Sequence, residues 1–434
     1  MTETKENMVA KNWKRPFFLV WSGQAFSLLG SQLVQFALIW YLTKQTGSAT
    51  VLATATLVGM LPQIFLGPIA GSYVDRHNRR RIMILADVGI ALSTLLLVLL
   101  FAFGIVQIWH IYALMLLRSL GQAFHSPAFM ASTSLMVPKE QLTRIQGVNQ
   151  MLNGGLNIIS APLGALLLEL FPMQGVLAVD IITAAIAVCT VLPVSIPQPV
   201  RELNGTDGKP ISFWTDFREG FRYVLSWPGI LIIIVMATLI NFLLTPAGAL
   251  APLLITKHFG QGVVQLGWFE AVSGIGVIIG ALLLSVWGGF KRRIVTAFIG
   301  LVGMGLPFAV VGLLPADGFL ICLVMVLVSS VTMPIVNGTL GAVMQATVDP
   351  SRQGRVFTLT GSLATAMTPL GLLVAGPVAD GLGIQSWYIV GGLICAAMGI
   401  IGLFIPSVMN IEAGHPGDKV KVPEVMETIE AVSD

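Results

Sequence analysis

Charge is scarce in this chain. Of 434 residues only 10% are Asp, Glu, Lys or Arg, where a soluble domain carries about a quarter. That shortage excludes a soluble globular enzyme. Cysteine is scarce too: Cys189, Cys322 and Cys395 each sit inside an apolar run. None has a CxxC partner or a neighbouring His, so neither a disulfide framework nor a zinc site is implied. They read as buried thiols packed between helices. There is no GxxxxGK[ST] loop, so ATP is not the expected energy source. His110, His125 and His258 are scattered, and no nucleophile stands beside a base. No metal, cofactor, enzymatic activity or nucleic-acid partner is expected.

What the chain has is apolar length. It is 55% hydrophobic with a mean hydropathy of +0.85. Repeated apolar runs of about 20 residues each suffice to cross a bilayer. The expected class is an all-α polytopic membrane protein with lipid as its surroundings. The first run, Phe17 to Leu42, is too long for the core of a cleaved signal peptide. Twelve spans are expected, at 17–42, 50–74, 81–104, 109–134, 146–170, 174–195, 229–256, 265–289, 293–314, 318–342, 353–378 and 385–406.

The spans group into an N-terminal tail (1–15), a six-helix half (16–196), a linker (197–228), a second six-helix half (229–406) and a polar, unstructured tail (407–434). Pro197, Pro199, Gly205, Gly208 and Pro210 open the linker. Beyond them Phe213, Trp214, Phe217, Phe221, Val224 and Leu225 recur at helical spacing opposite Asp216, Arg218, Glu219 and Arg222, as in a helix lying in the membrane interface.

The two halves repeat. Pro16 and Pro138 recur as Pro228 and Pro350, an offset of 212. Gln146-Gly147, Pro162 and Gly164 recur as Gln353-Gly354, Pro369 and Gly371, an offset of 207. Of 24 Lys and Arg residues, all but Lys44, Lys257 and Arg118 fall in the tails, the linker or alternate loops. By the positive-inside rule that side is the cytoplasm, and both termini lie there.

Five charges crowd into Gly71-Ser-Tyr-Val-Asp75-Arg76-His-Asn78-Arg79-Arg80-Arg81. Hydrocarbon cannot hold such a cluster, so it is the short loop between the second and third spans. Helix 5 carries Gly154-Gly155 and Ala161-Pro162-Leu163-Gly164, small residues suited to close helix packing beside a proline bend. Helix 4 contains Arg118-Ser-Leu-Gly121-Gln122-Ala-Phe-His125-Ser-Pro127-Ala128, followed by Val137-Pro138-x-Glu140-x-Leu142.

These segments carry a family resemblance. The charged loop resembles the loop 2–3 signature of the major facilitator superfamily, Gly-x-Leu-Ala-Asp-Arg-x-Gly-Arg-Arg/Lys, departing from it at Tyr73, Val74 and Asn78. Asn78 stands where the family has Gly, and Asn is the side chain that best tolerates positive φ. The resemblance implies that Gly71, Asp75, Arg76, Arg79 and Arg80 latch the halves in the outward-facing state. The corresponding loop of the second half, Gly288-Gly-Phe-Lys291-Arg292-Arg293, lacks the acid. The helix 5 segment is similar to the superfamily's antiporter signature, with Ala161 in place of a Gly. The helix 4 segment, Phe217-x-x-Gly220-x-Arg222-Tyr223, Pro228-Gly229 and Gln353-Gly354-Arg355-Val356-Phe357 resemble the branch of macrolide efflux pumps and siderophore exporters.

Ionisable groups inside spans are expensive and mark function by default. Asp180, Glu270, Arg118 and Glu169 are the candidates for proton coupling, with Asp180 and Glu270 foremost. Each has an alternative as a structural ion pair or an end-of-helix residue. Asp87 is assigned to supporting the charged loop. Gln24, Ser27, Ser31 and Gln35 share one face of helix 1, and Asn149, Asn153 and Asn157 repeat every four residues on helix 5. With Gln122, Asn241 and Asn337 they are candidates for a substrate cavity, or for hydrogen bonds between helices. The expected protein is a monomeric, twelve-helix transporter of the cell membrane. It would export a hydrophobic or amphipathic, macrolide-like compound by proton antiport and alternating access. A siderophore or metabolite exporter, or a lysophospholipid flippase, is the alternative.

Overall fold

A computed structural model describes residues 13–196, 221–348 and 350–413. Among them there is no strand, and twelve helices have the length of a membrane span. They are α1 (Lys14–Thr46), α2 (Ala49–Arg76), α3 (Arg79–Ala102), α4 (Ile108–Met136), α5 (Leu142–Leu170), α6 (Met173–Val191), α7 (Pro228–Leu253), α8 (Val263–Trp287), α9 (Arg293–Leu313), α10 (Phe319–Thr347), α11 (Pro350–Leu382) and α12 (Ile384–Gly402). The shortest has 19 residues, roughly 28 Å at 1.5 Å per residue, which matches a hydrocarbon core.

Eleven of these are apolar enough to be recognised as spans on composition. The twelfth, α4, is long enough at 29 residues but carries Arg118, Gln122 and His125. Its polar stripe is tolerable because neighbouring helices cover it: Arg118 and His125 are both buried. Leu85, Leu92, Leu96 and Leu99 of α3 face outward, as lipid requires.

Packing repeats with the sequence. In the first six helices α1 packs on α6 and α5, α3 on α4 and α6, and α2 on α4; in the last six α7 packs on α12 and α11, α9 on α10 and α12, and α8 on α10. The two sets meet where α5 lies on α8 and α2 on α11. The offset glycines do equivalent work. A Cβ on Gly164 would meet the Phe36 ring of α1 at 2.8 Å; one on Gly371 would meet Phe242 O of α7 at 2.4 Å. Pro246 lacks the amide that would otherwise bond that carbonyl, so α11 approaches where α7 has a free acceptor.

Three apolar clusters show how the bundle closes. One, around Phe17, Met83 and Val194, belongs to the first six helices at the end bearing the Arg79–Arg81 loop, here called the basic end. A second, around Ile230, Phe298 and Val356, belongs to the last six at the same end. The third, at the opposite end, is shared: Leu38, Leu42 and Leu52 join Leu250, Ile255, Ala375 and Tyr388. The two sets are therefore joined at one end and separately cored at the other.

Several expectations need correction. Asn78 does not adopt positive φ; at φ −68° and ψ 108° it is the N-cap of α3, its side chain accepting from Arg81 N at 3.1 Å. Asn suits the extended conformation of an N-cap as well as a left-handed turn. Cys189 is exposed on α6, while Cys322 and Cys395 are buried as expected. The tail is not featureless from 407 onward. Pro406–Met409 and Ile411–Ala413 form helical turns, Val408 and Ile411 are buried, and Glu412 accepts from Ile294 N at 2.9 Å. Helix 7 ends in a π turn, Leu254–His258. The linker residues Phe213, Trp214, Asp216, Phe217, Arg218 and Glu219 lie outside the described residues; the following 221–226 are helical, with Tyr223 and Val224 buried.

Candidate functional site: the central cavity

Between the two sets of helices lies a cavity of about 820 Å³. The first set contributes Ser31, Gln32 and Gln35 of α1, Gln63 of α2, Arg118, Ser119 and Gln122 of α4, and Asn157 and Ser160 of α5; the second contributes Thr245 of α7 and Glu270 and Ser273 of α8. Phe36, Ile39, Met60, Met115, Leu266 and Ile278 complete the wall. An apolar lining with a few polar groups suits a drug-sized organic molecule. A smaller cavity of about 330 Å³ continues into the second set, where Asn241, Asn337, Ser329 and Ser330 stand among Phe269, Met304, Phe308 and Met333.

Arg118 is fixed by the first set. Its Nη1 donates to Asp180 on α6 and to Thr94 on α3. Asp180 is fully buried and also accepts from Thr94 Oγ1 at 2.6 Å and Ser31 Oγ at 3.1 Å. Four helices thus converge on one carboxylate, and the guanidinium it holds lies on the cavity wall. An ion pair buried in this way persists because its remaining lone pairs are satisfied. Glu270 differs. It lines the cavity from the other side, and among the described residues it forms no hydrogen bond or ion pair.

The other candidates divide. Ser31, Gln35, Gln122 and Asn157 reach the large cavity, and Asn241 and Asn337 the small one. Gln24 does not: it is buried and donates to Asp87 Oδ2 at 3.0 Å. Asn149 accepts from Trp21 Nε1 at 2.8 Å and so ties α5 to α1, while Asn153 is exposed and lines neither cavity. Glu169 is exposed at the end of α5, away from both. Gly154 and Gly155 were expected to pack closely, yet no atom lies within 4 Å of where a Cβ would stand; Gly154 borders the cavity instead. The close approach comes about two turns later, where a Cβ on Gly267 of α8 would meet Pro162 Cα at 3.1 Å.

In the charged loop the Asp75 side chain lies outside the described residues, while Arg76 is exposed. Arg79 Nη1 donates to Ala131 O near the end of α4 at 3.0 Å, and Arg80 donates to Leu192 O at the end of α6. These cations meet carbonyls at helix C-termini, where the dipole favours them, and both contacts stay within the first set. Gly71 has open space around it.

One functional group escaped the sequence reading. Asp380, near the end of α11, accepts from Ser48 Oγ at 2.8 Å, Ala49 N at 2.7 Å and Thr50 N at 2.9 Å. It caps the first turn of α2 across the junction of the two sets, at the end opposite the basic loops. Ser48-Ala49 was a readable helix start, but nothing in sequence pairs it with a carboxylate 332 residues away. Gln32, Gln63, Ser160, Thr245 and Ser273 were also missed on the cavity wall; Gln32 was legible as a polar residue in a span.

Comparison with known proteins agrees with this geometry. A profile of the Major Facilitator Superfamily matches residues 20–366. Macrolide efflux protein A of Streptococcus pyogenes is 34% identical over 401 residues, covering 92% of this chain and 98% of that protein. The multidrug efflux pump Tap of Mycolicibacterium fortuitum is 28% identical, with the same coverage. Among solved structures, a bacterial homologue of the iron transporter ferroportin in an inward-facing state superposes with a TM-score of 0.67 at 15% identity over 89% of this chain and 98% of that one. The nucleoside transporter NupG superposes with a TM-score of 0.62 at 13% identity over 87% of this chain and 97% of that one. The chain is thus a multi-pass membrane transporter, with efflux pumps rather than enzymes among its relatives, and it belongs to the major facilitator superfamily.

Proposed function

We propose that this protein exports a hydrophobic or amphipathic compound, macrolide-like in size and character, by proton antiport. The observation that carries the reading is the central cavity. It lies between two six-helix bodies, is mainly apolar, and has an unpartnered carboxylate, Glu270, facing Arg118 from the other body. The identity to macrolide efflux protein A favours this substrate class over a siderophore or a lysophospholipid.

Residues 16–196 and 229–406 act as the two rocking bodies, joined by the linker. The basic end and both termini face the cytoplasm, and the protein sits as a monomer in the cell membrane. The shared apolar cluster and the Asp380 cap close the outer end, so the cavity is presented to the cytoplasm. Substrate enters there. Opening the outer end requires α2 and α11 to part, and the Asp75 loop then latches the inner end.

Glu270 is the proton-binding group of the cavity. A carboxylate with no partner must either hold a proton or face a cationic or polar guest when water is excluded. Asp180 has a different task, since Arg118 neutralises it permanently; it anchors Arg118 at the wall. Protein reconstituted into inside-out vesicles should accumulate a labelled macrolide when the lumen is acidic, and lose it when an ionophore collapses the gradient. Glu270→Gln should bind the macrolide but lose the response to the gradient. Accumulation that ignores the ionophore would overturn the antiport reading.

A further inference from the structure

Asp87 of α3 and His125 of α4 are 2% and 3% exposed and line neither cavity. Asp87 Oδ2 accepts from Gln24 Nε2 at 3.0 Å, and Oδ1 from Ser27 Oγ at 3.4 Å. His125 Nε2 stands 3.4 Å from Asp87 Oδ1 but has no hydrogen-bond partner, and neither does Gln24 Oε1. The polar set is buried, and its leftover acceptor and ring nitrogen call for an explanation.

We propose that Asp87 and His125 form a second proton-binding site, walled off from the substrate cavity, and that its proton is moved in the transport cycle. Charge balance separates the two buried pairs. Arg118 cannot surrender its proton, so the Arg118–Asp180 pair is neutral with no removable proton. Asp87 faces an imidazole, so its pair is neutral only when it holds one proton, which the proposal places on His125, as imidazolium beside carboxylate. Without that proton a carboxylate stands uncompensated in a buried site, a state that proteins avoid. The charged groups around the pair are few. On α3 itself Arg79 lies two turns toward the basic end and bonds Ala131 O. On α4 and α6 the Arg118–Asp180 pair lies two turns the other way. On α1 the facing groups are Gln24 and Ser27.

Geometry connects the two sites. Asp87 and Thr94 are seven residues apart on α3, as are Arg118 and His125 on α4, about 10.5 Å along each axis. Gly121, between Arg118 and His125, lets the helices close: a Cβ there would stand 2.8 Å from Ile90 Cγ1 and 3.4 Å from Ala86 O. On α1, Ser27 reaches Asp87 and Ser31 reaches Asp180, one turn apart. A polar column therefore runs through the first body from the cavity wall toward the basic end. A proton held at its end alters the charge of that body without competing with substrate at Glu270. The role in transport rests on the proton coupling proposed above; the proton-binding site itself does not.

The test uses purified full-length protein in nanodiscs, with no substrate. Histidine labelled with ¹⁵N reports the protonation of each imidazole, and His125 is assigned by its loss in His125→Gln. His125 should change protonation across the pH range, and in Asp87→Asn its imidazolium population in mild acid should fall several-fold, because the carboxylate that favours the charged form is gone. Should Asp87→Asn misfold, Gln24→Leu keeps both titrating groups and should shift the His125 transition. A His125 signal unchanged by pH, or titrating alike in wild type and the folded variants, overturns the proposal. In gradient-driven vesicles, His125→Gln should bind macrolide with wild-type affinity but export it several-fold more slowly; wild-type gradient dependence in His125→Gln overturns the role in transport. A wild-type protein with no gradient-driven export would refute the proposed function while leaving the histidine titration to stand or fall alone.

Discussion

The two six-helix sets share a packing plan but not an interior. Among the described residues, the buried Arg, Asp and His side chains, Arg79, Asp87, Arg118, His125 and Asp180, all belong to the first set; the second buries only uncharged groups, among them Thr296, Ser329, Thr339, Thr368 and Tyr388. The one carboxylate the second set brings to the cavity, Glu270, is only partly buried and unpaired. One scaffold thus carries two kinds of core: a polar column held by cross-helix hydrogen bonds, and an apolar body with a side cavity. The repeat fixes where helices touch, while the buried charges were placed in one copy. A lone buried charge is costly, so such groups arrive as networks or not at all.

The contrast should be sharpest at Arg118–Asp180. Asp180→Ala leaves a guanidinium without its partner and should destabilise the protein by roughly 3–5 kcal/mol, seen as a large drop in thermal unfolding temperature and loss of export. The paired change Arg118→Met with Asp180→Leu should recover much of the stability but not the export. Asn337→Leu in the second set should leave stability near wild type. Equal losses in both sets would mean that the polar column is not what distinguishes them.

Next in size is the packing that the two sets share. Gly371→Ala forces a methyl against Phe242 O and should cost about 1–3 kcal/mol through overpacking. Gly154→Ala, with open space before it, should be close to neutral in stability, its effect confined to the cavity wall. Thermal unfolding of the two variants in one detergent gives the comparison directly.

How much of this was legible in sequence depended on whether a signal was local. The helices were legible because lipid demands about 20 apolar residues in a row, and their order because proline and glycine recur at fixed offsets. The α4 span was read at 109–134 with the rest, although its polar stripe lowers its hydropathy below theirs. Asp180 and Glu270 were legible as charges in spans, but not that one is paired and the other bare. Asp87 was assigned to the charged loop, because sequence does not show that α3 turns it toward His125 and Gln24. Asp380 was illegible: its partners are amides at the start of a helix on the other body. Charge in a span is visible in one dimension, whereas partnership is visible only in three.

The Asp380 cap tests the junction rather than either interior. Asp380→Asn keeps the shape but loses the charge that favours the start of α2, and should cost about 0.3–1 kcal/mol. If that cost falls only on the state in which the end opposite the basic loops is joined, the protein should spend up to about fivefold more time open there. Spin labels placed on the two bodies at that end would show a larger long-distance population. An unchanged distribution would mean that the shared apolar cluster alone holds that end together.

The mildest changes concern the loops that begin α3 and α9. In the first set the cap of α3 is internal, supplied by Asn78 through Arg81 N. In the second, Gly288 and Gly289 turn at positive φ and the carboxylate comes from outside, as Glu412 of the C-terminal segment bonds Ile294 N. Asn78→Gly restores the residue that the superfamily signature has there, and because Gly is itself a fair N-cap it should cost only a few tenths of a kcal/mol. Glu412→Ala removes the donor's only described side-chain acceptor and should cost about 1 kcal/mol, loosening the contact of the C-terminal turns with α9. Hydrogen exchange at the first amides of the two helices measures both. Faster exchange at α9 in Glu412→Ala, with little change at α3 in Asn78→Gly, would show that the second set recovers from outside the acidic partner its own loop has lost. Equal exchange would make Glu412 a passive neighbour.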